Sequence, residues 1–197
     1  MKKLLVILSL FIFAGSASAT ILRVNSPSNS LYTNGSWSFG TIFTIGADDI
    51  NVTSLGGFDA YGDGFNSASI QVGIFDEVTN ALLASTNVLS TDTLIGDYRY
   101  SDITDLLLTS GDQYRLVAVS GSDLYNYPTY SFDSAVTVDG FGYCSSSALT
   151  SCNSFTENDY GMANFQFEIA SVPEPSTLAL LGLGLLGFGF ARKKKAA

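Results

Sequence analysis

The chain has 197 residues, of which 46% are hydrophobic, and its formal net charge at pH 7 is −9. The charge is uneven, since residues 20–172 contain all 18 acidic residues except Glu174 but only three basic ones, Arg23, Arg99 and Arg115. This segment therefore has a net charge of −14, which argues against nucleic acids and anionic lipid surfaces as partners because they attract clustered Lys and Arg. The chain has no histidine, which excludes Ser-His-Asp and Cys-His catalytic groups.

The first 19 residues have the organisation of a secretory signal peptide. Lys2 and Lys3 form a basic start, residues 4–13 are apolar, and Ala17 and Ala19 are the small residues of an A-x-A cleavage site. The apolar run is too short for an uncleaved membrane anchor. We therefore expect signal peptidase to cut after Ala19 and to leave Thr20 as the mature N-terminus.

Residues 20–170 are predicted to form one domain of β-strands, because their apolar residues alternate with polar ones. Strands are predicted around residues 37–45, 53–58, 70–74, 81–88, 98–100, 114–119, 135–138 and 165–169. Residues 114–119 are apolar on both faces, which indicates a central strand. Only residues 101–108 suggest a helical turn.

Loop residues separate these strands at 61–64, 76–80, 110–112 and 120–123. Many short strands with frequent turns and almost no helical period are typical of an all-β protein. We therefore expect an antiparallel β-sandwich, and the sequence leaves jelly-roll and immunoglobulin-like topologies open.

The loop at residues 59–66 carries side-chain oxygen atoms next to glycines. Asp59 and Asp63 lie in this segment, and a hard cation such as calcium prefers such oxygen ligands. The segment lacks the third ligand and the terminal Glu of an EF-hand loop. A polar turn and a calcium site at Asp59 and Asp63 are the two interpretations.

A second loop is rich in tyrosine. Tyr125, Tyr127 and Tyr130 alternate with polar residues or proline, and exposed tyrosine rings are suited to stacking on the faces of sugars. Tyrosine is also common in strands, where it packs well. Ligand binding by these three residues and ordinary packing are therefore both considered.

Cys144 and Cys152 are the only cysteines. An exported chain with one pair of cysteines usually oxidises it, so we expect a disulfide. Zinc binding is the alternative, and the absence of histidine and of a second cysteine pair argues against it.

Residues 171–197 are predicted to form a separate segment with three parts. Pro173, Glu174 and Pro175 come first, and the prolines end any regular helix or central strand. Residues 176–191 are apolar and would form a helix of roughly 24 Å, shorter than the ~30 Å hydrocarbon core of a bilayer. A basic cluster then stops this short transmembrane helix at the cytoplasmic side, formed by Arg192, Lys193, Lys194 and Lys195.

This tail resembles the PEP-CTERM sorting signal of exopolysaccharide-producing Gram-negative bacteria. The resemblance implies that an exosortase, an integral-membrane transpeptidase, recognises Pro173, Glu174 and Pro175 and processes the tail. Residues 43–169 are also similar to the DUF4082-type β-sandwich domains of surface proteins, a resemblance that implies a fold and says little about activity.

These features predict an exported, non-enzymatic protein of a Gram-negative bacterium. It would be held transiently in the inner membrane and would end at the cell surface or in the extracellular matrix, associated with exopolysaccharide or biofilm. A carbohydrate-binding module for matrix polysaccharide is the first alternative. A glycan-active enzyme is the second, since an acidic chain has carboxylates to pair. No cofactor is expected other than the calcium considered above.

Overall fold

The computed structural model describes residues 19–25, 31–127, 130–152, 154–156 and 158–170. These residues form fifteen β-strands and no helix. In chain order the strands are β1 (Thr20–Ile21), β2 (Arg23–Asn25), β3 (Leu31–Tyr32), β4 (Trp37–Ile45), β5 (Ile50–Phe58), β6 (Ser69–Asp76), β7 (Leu82–Leu89), β8 (Thr93–Ile95), β9 (Tyr98–Leu108), β10 (Gln113–Val119), β11 (Tyr125–Asn126), β12 (Tyr130–Phe132), β13 (Val136–Ser145), β14 (Ser154–Thr156) and β15 (Ala163–Ile169).

Two large sheets make up the fold. One has five strands in the order β1-β15-β5-β9-β8, and the other has six in the order β14-β13-β4-β10-β6-β7. Two short two-stranded sheets, β11-β3 and β12-β2, lie beside them. The strand pairs within the described residues are antiparallel. The prediction of an all-β antiparallel sandwich is therefore confirmed.

The core lies between the two large sheets. Phe43 of β4 and Phe165 of β15 are fully buried, and their ring centroids are 5.6 Å apart, so they join the six-stranded sheet to the five-stranded one. Strand β10 lies between β4 and β6, and its residues from Tyr114 to Val119 are all buried. The prediction of a central strand at residues 114–119 is confirmed.

The helical turn predicted at residues 101–108 is wrong, because these residues belong to β9. Strand β9 pairs with β5 along its length, but the register shifts between Val52 and Ser54 of β5. Val52 is opposite Leu106 and Ser54 is opposite Asp102, so three residues of β9 bulge opposite a single residue of β5. Such a bulge interrupts the period-2 alternation from which a strand is recognised.

Two glycines of β5 leave room for neighbouring side chains, one within its own sheet and one in the opposite sheet. A Cβ atom at Gly56 would lie 2.7 Å from the ring of Tyr100 on the neighbouring strand β9. A Cβ atom at Gly57 would lie 3.0 Å from Cβ of Ile70, which belongs to β6 in the other sheet. A larger residue at Gly57 would therefore push the two sheets apart.

A disulfide joins Cys144 at the end of β13 to Cys152, as the sequence predicts. The loop that it closes lies against the six-stranded sheet. Ser38 Oγ of β4 donates to the carbonyl of Thr150 at 2.8 Å, and the Leu149 N–H donates to Gln71 Oε1 of β6 at 3.1 Å. The loop therefore covers strands that would otherwise face solvent.

Replacing both cysteines by serine should lower the free energy of unfolding by about 2–3 kcal/mol, because the short loop then gains conformational freedom in the unfolded chain. Urea unfolding can be followed through Trp37, the only tryptophan, whose ring lies 5.9 Å from that of Tyr143 beside Cys144. Ser147→Ala changes an exposed residue of the same loop and should leave the transition unchanged. Equal stability of the Cys144→Ser/Cys152→Ser variant and the wild type would contradict this role of the disulfide.

Candidate functional site

All three arginines between residues 20 and 170 lie inside the fold, and each is paired with a carboxylate. Arg23 contacts Asp159 at 2.7 Å and Arg99 contacts Asp59 at 2.6 Å, while Arg115 pairs with Glu77. The side chains of the three arginines are 0%, 13% and 2% exposed. Because these residues include no lysine or histidine, the described surface presents acidic side chains with scarcely any positive charge beside them.

The Arg99 side chain organises the loop between β5 and β6. Its Nε donates to Asp59 Oδ2 at 2.6 Å, Nη2 donates to the carbonyl of Gly62 at 2.8 Å, and Nη1 donates to the carbonyl of Asp92 at 3.0 Å. Asp59 Oδ2 also accepts from the Gly64 N–H at 3.0 Å. Gly62 and Gly64 have φ angles of 71° and 106°, which glycine adopts readily and other residues rarely do.

A cavity of about 240 Å³ opens beside this loop. Its wall contains Phe58, Asp59, Ala60, Tyr61, Asp63, Gly64, Phe65, Asn66, Asp123 and Leu124. Asp59 is 2% exposed, and its Oδ1 has no hydrogen-bond partner among the described residues. Asp123 is 4% exposed and comes from the loop after β10. The cavity therefore has two buried carboxylates from different parts of the chain.

Asp123 also holds the far side of the β5–β6 loop. Its Oδ1 accepts from the Asn66 N–H at 2.5 Å, and its Oδ2 accepts from the Ser67 N–H at 3.2 Å. Asp59 therefore fixes the beginning of this loop and Asp123 fixes its end. The cavity wall is built by side-chain contacts to backbone groups, which limit the conformations of the loop.

The structure places both residues of the calcium hypothesis, Asp59 and Asp63, on this cavity. Asp63 is exposed, whereas Asp59 is buried and paired with Arg99. Within the described ranges, no three His, Cys, Asp or Glu residues are arranged to hold a metal ion. The calcium site stays a prediction, and Arg99 already places a positive charge beside Asp59.

The tyrosine loop contributes to a cluster of aromatic rings at the β3–β11 sheet. Tyr125 is 3% exposed, and its ring lies 4.7 Å from Phe39 and 5.8 Å from Tyr32. Its ring is therefore packed in the core and does not reach a surface where a sugar would stack. Tyr127 and Tyr32 are both 39% exposed, with centroids 5.0 Å apart. Ligand binding by Tyr127 stays a prediction, and the side chain of Tyr130 lies outside the described residues.

Packing in this cluster changes the acidity of its tyrosines. Burial raises the pKa of the Tyr125 hydroxyl above its usual value of 10.0, against a hydrogen bond to Asn34 that lowers it. The pKa of Tyr127 is raised mainly by burial and further by its hydrogen bond to Tyr160. In strand β9, burial also raises the pKa of Tyr100. All three hydroxyls therefore stay neutral over the usual pH range.

Several predicted residues lie outside the described part of the chain. These are Ala17 of the cleavage site, Pro173, Glu174 and Pro175 of the sorting motif, and the basic cluster from Arg192 to Lys195. Ala19 is the first described residue and is exposed. No helix among the described residues is long and apolar enough to cross a bilayer. The signal peptide and the tail helix stay predictions.

The fold and the tail together define an all-β domain followed by a sorting segment. A family model described as the PEP-CTERM protein-sorting motif matches residues 171–194. The motif implies an exported protein that an exosortase recognises, anchored transiently in the membrane and then placed at the cell surface. No curated protein matches the chain, and the likeness to DUF4082-type domains stays a prediction.

Arg99 and Asp123 belong to the candidate site but were not predicted from the sequence. Asp123 contacts Asn66 across 57 positions of the chain, and no local pattern indicates such a contact. The signal that could have pointed to Arg99 is the scarcity of basic residues, since a lone arginine among many carboxylates is expected to find one of them.

The raised tyrosine pKa values predict a specific alkaline instability. Above pH 10.0, the usual tyrosine pKa, these hydroxyls stay protonated in the folded chain but lose their protons in the unfolded one. The free energy of unfolding should therefore be unaffected by them below that pH and should fall as the pH rises above it. Because the chain lacks histidine, we also expect little change near neutral pH.

This prediction can be checked by urea unfolding at several pH values between about 7 and 12. Tyr127→Phe removes one of the titrating hydroxyls and should make the fall in stability shallower. A free energy of unfolding that stays constant across this range would show that the pKa values of the packed tyrosines are not raised.

Proposed function

We propose that this chain is a non-enzymatic protein of the cell surface or extracellular matrix of a Gram-negative bacterium, associated with exopolysaccharide in a biofilm. An exosortase would remove or process its tail after transient anchoring in the inner membrane. The observation that carries the proposal is the PEP-CTERM motif at residues 171–194. It follows a domain whose three basic side chains are all paired with carboxylates and are at most 13% exposed.

The charge distribution supports a role in a crowded polysaccharide matrix. Copies of a strongly acidic domain repel one another, which keeps them soluble at high concentration. The same surface repels anionic polymers, because Arg23, Arg99 and Arg115 all lie inside. Neutral polysaccharides are therefore the matrix component with which such a domain is most compatible.

The chemistry of the described residues supports a role without catalysis. The two cysteines are joined in a disulfide and histidine is absent, so nucleophiles of the common kinds lack their partners. Asp59 and Asp123 both accept hydrogen bonds from N–H donors, whereas glycoside hydrolysis needs one carboxyl group that donates a proton. This difference favours the non-enzymatic proposal over a glycan-active enzyme.

A carbohydrate-binding module is the second candidate, and one observation favours it. Tyr32 and Tyr127 present half-exposed rings at the edge of a packed aromatic cluster. Rings whose positions are already fixed by packing lose little conformational entropy when a sugar stacks on them. Binding of neutral polysaccharide to the purified protein, lost in Tyr32→Ala and Tyr127→Ala, is the result expected for this candidate.

The sorting proposal is tested by expressing the wild type and a Pro173→Ala/Pro175→Ala variant in cells with and without the exosortase. Intact mass and cell fractionation are then measured. The wild type should lose mass from its tail and leave the inner membrane only when the enzyme is present, and the variant should stay full length in the membrane. Ser176→Ala, next to the motif, is the matched control and should behave as the wild type does.

Amine-reactive labelling gives an independent readout of the same processing. Residues 20–192 contain no lysine, and the last lysines of the chain are Lys193, Lys194 and Lys195. A chain that has lost both its signal peptide and its tail should therefore take up a single label at its N-terminus. Retention of the tail lysines in wild type from cells that contain the enzyme would contradict the proposal.

A further inference from the structure

The cavity beside the β5–β6 loop contains a buried acceptor that the fold does not satisfy. Asp59 is 2% exposed, and its Oδ1 lacks a hydrogen-bond partner among the described residues. Buried polar atoms in folded proteins are nearly always hydrogen-bonded, since leaving one unpaired is costly. The atom belongs to a residue that lines the cavity.

The lining of the cavity argues against an anionic ligand. Asp59, Asp63 and Asp123 line the cavity as acceptors, which disfavours uronic acids, sulfates and phosphates. All three nitrogens of Arg99 already donate to protein oxygens, so the nearest cation is not offered to an anion. Hydroxyl groups are uncharged donors that suit such a wall.

The volume of the cavity limits the size of a ligand. Its volume of about 240 Å³ is several times the ~30 Å³ share of one water molecule. It lies slightly below the ~300 Å³ of the smallest usual drug-sized pockets. This volume suits one small polar ring. A bare metal ion would fill little of it, and the described residues bring no group of three ligating side chains together for one.

The wall of the cavity also contains an exposed aromatic ring. Tyr61 lines the same cavity and is 71% exposed, although tyrosine is an amphipathic residue that usually packs part of its ring. The backbone beside it is held by Arg99 at Gly62 and by Asp59 at Gly64. Tyr61 is therefore placed on a fixed loop next to the unsatisfied carboxylate.

We propose that this cavity binds one neutral sugar unit, which donates a hydroxyl proton to Asp59 Oδ1 and stacks on Tyr61. Neither the aromatic cluster of Tyr32 and Tyr127 nor a metal ion is needed for this binding. The site would give the domain a contact with neutral polysaccharide at a place distinct from that cluster. The inference concerns the domain alone and does not depend on how the tail is processed.

The test is ligand-observed NMR of the full-length chain with a panel of methyl hexopyranosides. The chain is kept in a detergent without sugar head groups, with a chelator present. At least one neutral glycoside should bind, with an affinity on the order of millimolar. Tyr61→Ala should weaken this binding at least tenfold. Leu107→Ala, which shortens a 56% exposed side chain outside both the cavity and the aromatic cluster, is the matched control and should leave it unchanged.

Asp59→Ala removes the acceptor itself and should abolish binding if the variant folds, which its Trp37 fluorescence reports. If that variant unfolds, the comparison of Tyr61→Ala with Leu107→Ala decides the question. Three results would overturn the proposal: no neutral glycoside binds, binding appears only when calcium is added, or binding is kept in Tyr61→Ala. Since the purified chain needs no exosortase, these results are separate from those of the sorting experiment.

Discussion

The burial of three arginines against carboxylates is the constraint on which the rest of this fold depends. Each arginine belongs to a strand and holds a segment that lies outside the large sheets. Arg23 contacts the segment of Asp159, Arg99 holds the β5–β6 loop, and Arg115 reaches Glu77 in the β6–β7 turn and the carbonyl of Cys152 in the disulfide loop. Removing one member of a buried ion pair leaves the other charge unpaired. This lowers the free energy of unfolding by about 3–5 kcal/mol.

The pairing of the three arginines inside the fold also determines the charge of the surface. A chain with three cations among many carboxylates has few ways to compensate its charge, and here the fold uses all three cations internally. What remains outside is acidic. Such a surface is unsuited to a protein that must hold phosphates or anionic lipids.

The sequence predicts those parts of the structure that depend on residues close together in the chain. Strands β4, β6, β10 and β15 were predicted because alternation of apolar side chains is a local property. Residues 101–108 of strand β9 were wrongly predicted as a helical turn, because the bulge opposite β5 disturbs that alternation. The pairing of Asp123 with the β5–β6 loop and the burial of Tyr125 depend on how distant strands come together. Those contacts have no local signature.

Limited proteolysis with trypsin tests the central claim most directly, because trypsin cuts only after lysine and arginine. If Arg23, Arg99 and Arg115 are buried in ion pairs, the native full-length chain should be cut only near its ends, at Lys2, Lys3 and the cluster from Arg192 to Lys195. The segment between them should stay intact by mass, and it should be cut at all three arginines once urea unfolds it. Cleavage of the native chain after any of these arginines, as fast as cleavage in the tail, would contradict the account.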